Sequence, residues 1–218
     1  PPRGPAEIPL ISLSSLAFLT RFQDGIELPG PTCRLAPMRY SGEAMTRHFK
    51  IDGWTWHEAD RRLVEPWFAR REELRRECSI KGSDLRDVFR VAAAGNGYYV
   101  KYHHPDSLFQ QVRSGLIPKA RREFEAARRL AALDLPVVAP VGWGYRGSRS
   151  MLLTRECPDA IPAREFWFGP QGARPGWRKR FLAELGGLLR RLFDAQVAHP
   201  DLHLGNLLVT ADRKGCRL

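Results

Sequence analysis

The chain reads as an α+β fold of two unequal lobes, a β-rich small lobe carrying one helix followed by the start of a helical large lobe. Two runs of β-formers flank a glycine-containing turn within residues 88–102. An amphipathic helix follows at 118–134, with a second strand pair behind it. A long helix at 176–196 then delivers a short polar loop that runs into another apolar stretch. At 218 residues and 43% hydrophobic, the chain can bury a real core and holds one or two domains. No internal repeat or low-complexity tract in the sequence points to a solenoid.

Residues 1–75 read as an N-terminal extension of unknown role. It contains the turn-forming Pro29-Gly30-Pro31, a Trp54/Trp56 pair and a charged helical run from His57 to Glu77. Pro66 should kink that run, because proline removes an amide donor and crowds the preceding turn. Ile8 to Leu19 is apolar but carries three serines and is too short to span a bilayer. No small-x-small cleavage site follows, so a strand or packed segment is expected there rather than a signal core.

The small lobe is assigned to residues 76–155. It opens with Ser79-Ile80-Lys81-Gly82-Ser83-Asp84, which reads as a surface turn. Val88-Phe89-Arg90-Val91 and Tyr98-Tyr99-Val100-Lys101-Tyr102 are strand-like runs joined by Ala94-Gly95-Asn96-Gly97. Asn-Gly between β-formers predicts a tight hairpin, since both residues accept positive φ. Lys101 therefore stands on the second strand. A lone strand lysine is usually solvated, but one drawn inward needs a carboxylate partner. The helix from Pro118 to Asp134 offers it: Glu123, Ala127, Leu130 and Asp134 share one stripe, placing Glu123 toward Lys101. Glu125 lies about 200° further round and should instead meet Arg121 or Arg129 in solvent. Val141 to Tyr145, a turn at Arg146-Gly147-Ser148, and Met151 to Thr154 form the second strand pair; Arg155-Glu156-Cys157-Pro158 then breaks the pattern.

The large lobe begins at residue 156 and runs to 218. Its helix, Gly176 to Gln196, should face the core with Phe181, Leu185, Leu188, Leu189 and Leu192, while Gly186-Gly187 weakens it locally and suits close packing. After it comes His199-Pro200-Asp201-Leu202-His203-Leu204-Gly205-Asn206, leading into Leu207-Leu208-Val209. An Asp followed five residues later by Asn, with a His two before the Asp, is the spacing of a phosphotransferase catalytic loop. Asp201 would accept the proton of an attacking hydroxyl, and the amide oxygen of Asn206 would hold a magnesium ion on nucleotide phosphates. Asp-x-x-x-x-Asn alone is common, and an ordinary loop could use Asp201 as a turn cap and Asn206 in a left-handed conformation. The fuller wording, with Lys101 and Glu123 upstream in order, favours chemistry. His199 reads as structural; His203 is open to either role.

These phrases together resemble the protein-kinase-like superfamily and, within it, the bacterial lipopolysaccharide core kinases that phosphorylate Kdo or heptose sugars. The resemblance is carried by Arg86-Asp87-Val88-Phe89-Arg90-Val91 leading to Tyr99-Val100-Lys101-Tyr102, by Arg122-Glu123-Phe124 followed by Leu135-Pro136-Val137, and by Asp201 to Val209. It implies ATP and Mg2+ as cofactors. Lys101 would orient the nucleotide, paired to Glu123, and the connector Arg155–Pro158 would bind adenine through its backbone. The acceptor would be a hydroxyl of a lipopolysaccharide core precursor. The Glu-Phe and Leu-Pro-Val wording is shared with atypical protein kinases of the RIO type. Asp-Leu-His-x-Gly-Asn is shared with aminoglycoside and choline phosphotransferases, so those acceptors remain alternatives. A catalytically inactive pseudokinase or scaffold is the alternative from another class. Two departures stand out. Ser79 to Asp84 holds one glycine where a glycine-rich phosphate loop is expected, although Lys81 and Ser83 could touch phosphate. A further metal-binding Asp is expected just past the hairpin of residues 207–218. The chain, starting Pro-Pro-Arg and stopping in that hairpin, is therefore read as a C-terminally incomplete fragment, itself inactive. Extension through the next Asp is expected to restore activity.

Net charge is +11 with a pI near 10.1, which suits anionic partners: nucleotide, phosphorylated glycolipid or an acidic membrane surface. Arg121, Arg122, Arg128, Arg129, Arg178, Arg180, Arg190 and Arg191 read mainly as solvated helix faces. The same basicity would help a cytoplasmic enzyme touch the inner leaflet peripherally. No nucleic-acid motif accompanies the charge, so nucleic acid is not expected as a partner. Cys33, Cys78, Cys157 and Cys216 lack metal-type spacing and read as reduced cytosolic thiols.

Overall fold

The computed structural model describes residues 18–19, 48–83, 86–104, 117–198, 202–212 and 215–217. Seven strands form one antiparallel sheet: β2 (His48–Ile51), β3 (Trp54–His57), β4 (Ser79–Ser83), β5 (Arg86–Ala93), β6 (Asn96–His103), β7 (Pro140–Arg146) and β8 (Arg149–Arg155), in the order β2-β3-β7-β8-β6-β5-β4. Helices α1 (Arg61–Phe68) and α2 (Arg71–Glu77) cover one face, and α3 (Lys119–Ala132) covers the other. Because both faces are covered, β6 shows no alternation after Tyr99: Val100, Lys101, Tyr102 and His103 are all buried.

The face under α1 and α2 is aromatic. Trp56 meets Trp67 and Phe68 edge-on, each at 5.9 Å between ring centroids, and Trp67 meets Phe89 at 6.4 Å. Such edge-to-face pairs add to the apolar burial of the rings themselves. Residues 48–77 are thus built into the same sheet and core as β5, β6 and β8. The expected kink at Pro66 is instead a break after Phe68, where Arg70 N–H turns back to the carbonyl of Trp67 at 3.0 Å. Stopping α1 there lets Val64, Trp67 and Phe68 all enter the core before α2 restarts.

The β5–β6 hairpin forms, but its turn is Ala94-Gly95, with φ of 48° and 74°, rather than Asn96-Gly97. Asn96 and Gly97 lie inside the strand, where Asn96 caps the turn by donating to the Ala94 carbonyl at 2.9 Å. Gly97 is needed elsewhere: a Cβ on it would lie 1.6 Å from Oε2 of Glu156, whose carboxylate crosses the strand at that point. Ser79 to Ser83, expected as a surface turn, pairs as the edge strand β4 against β5, with a register shift between Ser79 and Lys81.

The second lobe packs α4 (Ala163–Phe168) and α5 (Trp177–Asp194) against a smaller sheet in which β9 (Ala160–Pro162) and β11 (Gly215–Arg217) both pair antiparallel with β10 (Leu207–Asp212). β1 (Phe18–Leu19) runs parallel to β10, so the described end of the Ile8–Leu19 segment is strand. On α5, Phe181, Leu188 and Leu192 are buried and Leu185 partly so, as expected. Leu189 is 46% exposed, because it falls about 80° from Phe181 around the helix. Glu184 takes the buried place instead. Gly186 faces open space, so it does not serve close packing. Ala126, Ala127 and Leu130 of α3 belong to this second core, while Ala120 and Phe124 pack on the large sheet. No helix among the described residues is long and apolar enough to cross a membrane.

Gly144 lies beneath the Trp56 ring, where an added Cβ would stand 2.7 Å from the indole. Gly144→Ala should therefore cost about 1–3 kcal/mol, the usual penalty for overpacking a filled core. Urea unfolding followed by tryptophan fluorescence measures it.

Candidate functional site

Strand alternation splits β6 between two environments. Val100 and Tyr102 enter the aromatic core, whereas Lys101 and His103 point to α3 and meet Glu123. Lys101 Nζ donates to Glu123 Oε2 at 2.8 Å, with Lys101 9% and Glu123 3% exposed. His103 Nε2 lies 3.6 Å from the other carboxylate oxygen, Oε1. One turn earlier, Ala120 N–H donates to the hydroxyl of buried Ser150 on β8 at 3.2 Å. The helix is thereby fixed to the sheet at its first turn and at Glu123.

The stripe that places Glu123 inward continues through Ala127 and Leu130, both fully buried. Asp134 does not complete it: the helix ends at Ala132, and Asp134 is exposed with φ of 53°. Its short polar side chain tolerates that left-handed position where the chain turns toward Leu135. Glu125 faces solvent and takes the Arg121 guanidinium at 2.7 Å.

Burial alone would push the Glu123 carboxyl up. The Lys101 ammonium and the His103 ring together outweigh it and hold the carboxyl down at about 2. Burial lowers the pKa of Lys101, Glu123 pulls it back up, and Arg86 and Lys119 push it down. Lys119 itself is lowered, by burial first and then by Arg86 and Arg122 among its neighbours, against Glu123. One carboxylate is thus shared by several cations, a local excess of positive charge suited to a polyanionic ligand such as a nucleotide phosphate chain.

The residues expected to form a catalytic loop are described only from Leu202 onward. Asp201 and His199 lie outside the described residues. Asn206 is buried at the end of a single 3₁₀ turn, Leu204–Asn206, that leads directly into β10. Its backbone N–H donates to the His203 carbonyl at 2.9 Å, while the His203 ring accepts the Gly205 backbone N–H at 3.0 Å. His203 is therefore the cap that shapes this turn. The amide oxygen of Asn206 is a hard donor of the kind magnesium takes. Among the described residues, no group of three or more His, Cys, Asp or Glu side chains could form a metal cage.

The connector after β8 is tied down on both sides. Arg155 N–H donates to the Ala139 carbonyl and Glu156 N–H to the Gly97 carbonyl, each at 3.0 Å. The Glu156 carboxylate takes a bidentate pair from Arg90, both bonds 2.8 Å, and lies 3.3 Å from the Tyr99 hydroxyl. The Arg90 hydrogen bonds, with help from Tyr99, hold this carboxyl below its usual range. Sequence reasoning missed this clamp and also missed His103. A glycine inside a strand can signal close approach, and a histidine two residues beyond Lys101 must share its face.

A sequence model of the Lipopolysaccharide kinase (Kdo/WaaP) family matches residues 66–218. No curated protein matches the chain. Among solved structures, the chain is similar to one described as WaaP in complex with acyl carrier protein, at 21% sequence identity and a TM-score of 0.50. The match covers 71% of this chain and 64% of that one, so the chain spans less than two thirds of the structure it resembles. At this identity the likeness is one of fold, and it agrees with the two-lobe architecture expected from the sequence.

Removing one member of the buried pair isolates the other. Glu123→Ala should cost about 3–5 kcal/mol, and a Lys101→Met/Glu123→Leu double substitution should recover most of it. Acid should act in the same direction. The Glu123 carboxyl falls from its ordinary 4.5 to about 2 on folding, so its contribution is complete above pH 4.5 and is lost as pH drops toward 2. Denaturant midpoints measured across that range should fall for the native protein more steeply than for the double variant.

Proposed function

This chain belongs to the lipopolysaccharide kinase (Kdo/WaaP) family, and on that premise we propose that the protein transfers the terminal phosphate of ATP to a hydroxyl on an inner-core lipopolysaccharide sugar, Kdo or heptose. The observation that carries this reading is the buried Lys101–Glu123 pair at 2.8 Å. One carboxylate oxygen, Oε2, takes the ammonium on the protein side, which fixes the position from which Lys101 would meet a ligand.

In this reading Lys101 holds the α- and β-phosphates, and the excess charge of Arg86 and Lys119 favours the rest of the polyanion. The backbone of the connector at Arg155–Pro158, fixed by Arg90 and Gly97, receives the adenine. Asn206 is the residue that would hold magnesium. ATP with its metal supplies the phosphoryl group and neutralises part of its charge. Asp201 would position the acceptor hydroxyl and take its proton as the new P–O bond forms and the bond from the terminal phosphorus to the β,γ-bridging oxygen breaks, releasing ADP. Rate enhancement then comes mainly from positioning and electrostatics. The net charge of +11 supports a cytoplasmic protein working at the anionic face of the inner membrane, where an acidic glycolipid acceptor would be presented.

The test is transfer of labelled terminal phosphate from ATP to lipopolysaccharide core, to protein and to amino-sugars, offered in parallel. Label is expected in the core sugar, and label only in protein or amino-sugar would reject the acceptor assignment. Asp201→Asn should lower kcat by at least about 100-fold, the scale of general-base assistance, without changing thermal stability. Retained turnover would remove Asp201 from that role.

A further inference from the structure

We infer that His103 is a positioning residue that grips the second oxygen of Glu123, fixing the orientation in which this carboxylate meets Lys101. The inference rests on the reading of Lys101 as a phosphate ligand and adds to it a third residue, on the same strand face and two positions away.

Four observations carry it. His103 is 3% exposed, enclosed between the sheet and α3. Its Nε2 lies 3.6 Å from Glu123 Oε1, while Lys101 occupies Oε2, so the carboxylate is bracketed by two side chains of β6. Within the described residues, neither ring nitrogen of His103 nor Oε1 has another hydrogen-bond partner. Finally, Ser150, opposite His103 across the strand pair, anchors Ala120 of α3, so the helix is held at the height where the ring meets the acid.

A separation of 3.6 Å exceeds a formed hydrogen bond, yet closing it takes only about half an ångström. Buried polar atoms are rarely left unsatisfied, and donation from Nε2–H to Oε1 satisfies two of them at once. A carboxylate held at only one oxygen is free to rotate about its Cγ–Cδ bond. Held at both, it presents a fixed edge to Lys101.

The protonation state fits the task. Burial lowers the imidazole pKa below its ordinary 6.5, with Glu123 pulling upward and Lys101 and Lys119 pushing down. The ring is therefore neutral at physiological pH and donates without adding a positive charge beside the lysine. Protonation below pH 6.5 would turn it into a competing cation for the same carboxylate. The charged groups acting on this cluster are Lys101 on β6, Glu123 and Lys119 on α3, and Arg86 on the neighbouring strand β5.

Imidazole nitrogen NMR on the native protein tests the bond directly. A neutral ring at pH 7 carrying its proton on Nε2 is expected; a proton on Nδ1, or a ring that titrates at the ordinary pKa, overturns the inference. Equilibrium binding of magnesium-ATP then tests the consequence. His103→Leu should weaken affinity about tenfold, the scale of one hydrogen bond to a charged group. His103→Gln, whose side-chain amide can replace Nε2–H, should stay within about threefold of the native protein. It should also lose the fall in affinity expected of the native protein as acid protonates the His103 ring at a pH below 6.5. A Leu variant that binds like the native protein, or a Gln variant as weak as Leu, overturns the inference. Absence of nucleotide binding by the native protein would strike the phosphate-transfer reading itself, and the tautomer measurement would still judge the His103–Glu123 bond.

Discussion

The structure depends on how α3 satisfies the one acid it buries. Taking Glu123 and Lys101 out of water carries a large desolvation cost, recovered only when the geometry is good. Here the geometry is secured by placing the helix between two cores. Phe124 and Ala120 pack on the large sheet, Ala126, Ala127 and Leu130 pack on the second lobe, and Glu123 lies where the two sides meet. The ion pair is thus held in its geometry by hydrophobic packing on either side.

The opposite face of the sheet explains why β6 can be that anchor. In a sheet open to solvent on one side, a lysine on the outer face would be solvated. Here the Trp54, Trp56, Trp67 and Phe68 layer occupies one side, and among the described residues α3 is the element that faces Lys101 and His103 on the other. Gly142 and Gly144 let that layer lie directly against β7: an added Cβ on Gly142 would stand 2.6 Å from the Ala59 backbone nitrogen. Residues 48–77 therefore give rigidity to the strand that presents the candidate site, whatever else they do.

Much of this was legible in the sequence because the relevant patterns are local. The helical stripe pointed Glu123 inward, and the β-formers around residues 88–102 marked a hairpin. What failed did so where one residue answers to two demands. Asn-Gly marks a turn only when the glycine is not wanted elsewhere, and Gly97 is required beneath Glu156. Leu189 looked like core because leucine usually is, but the angle from Phe181 carries it outside, and the polar Glu184 took the inner position. The packing role of α1 and α2 was hidden by their charge: Arg61, Arg62 and Arg71 to Glu73 mask a short aromatic edge. The Arg90–Glu156 clamp joins residues far apart in the chain, and no local pattern encodes such a pairing.

A helix shared by two hydrophobic interiors cannot leave one without disturbing the other. Swinging α3 off the sheet would strand a bare carboxylate and also pull Ala126, Ala127 and Leu130 out of the other lobe. Parting the lysine–acid pair by moving this helix therefore carries the cost of opening both interiors. Any modulation of the site has to come through parts of the molecule that are not wedged in this way.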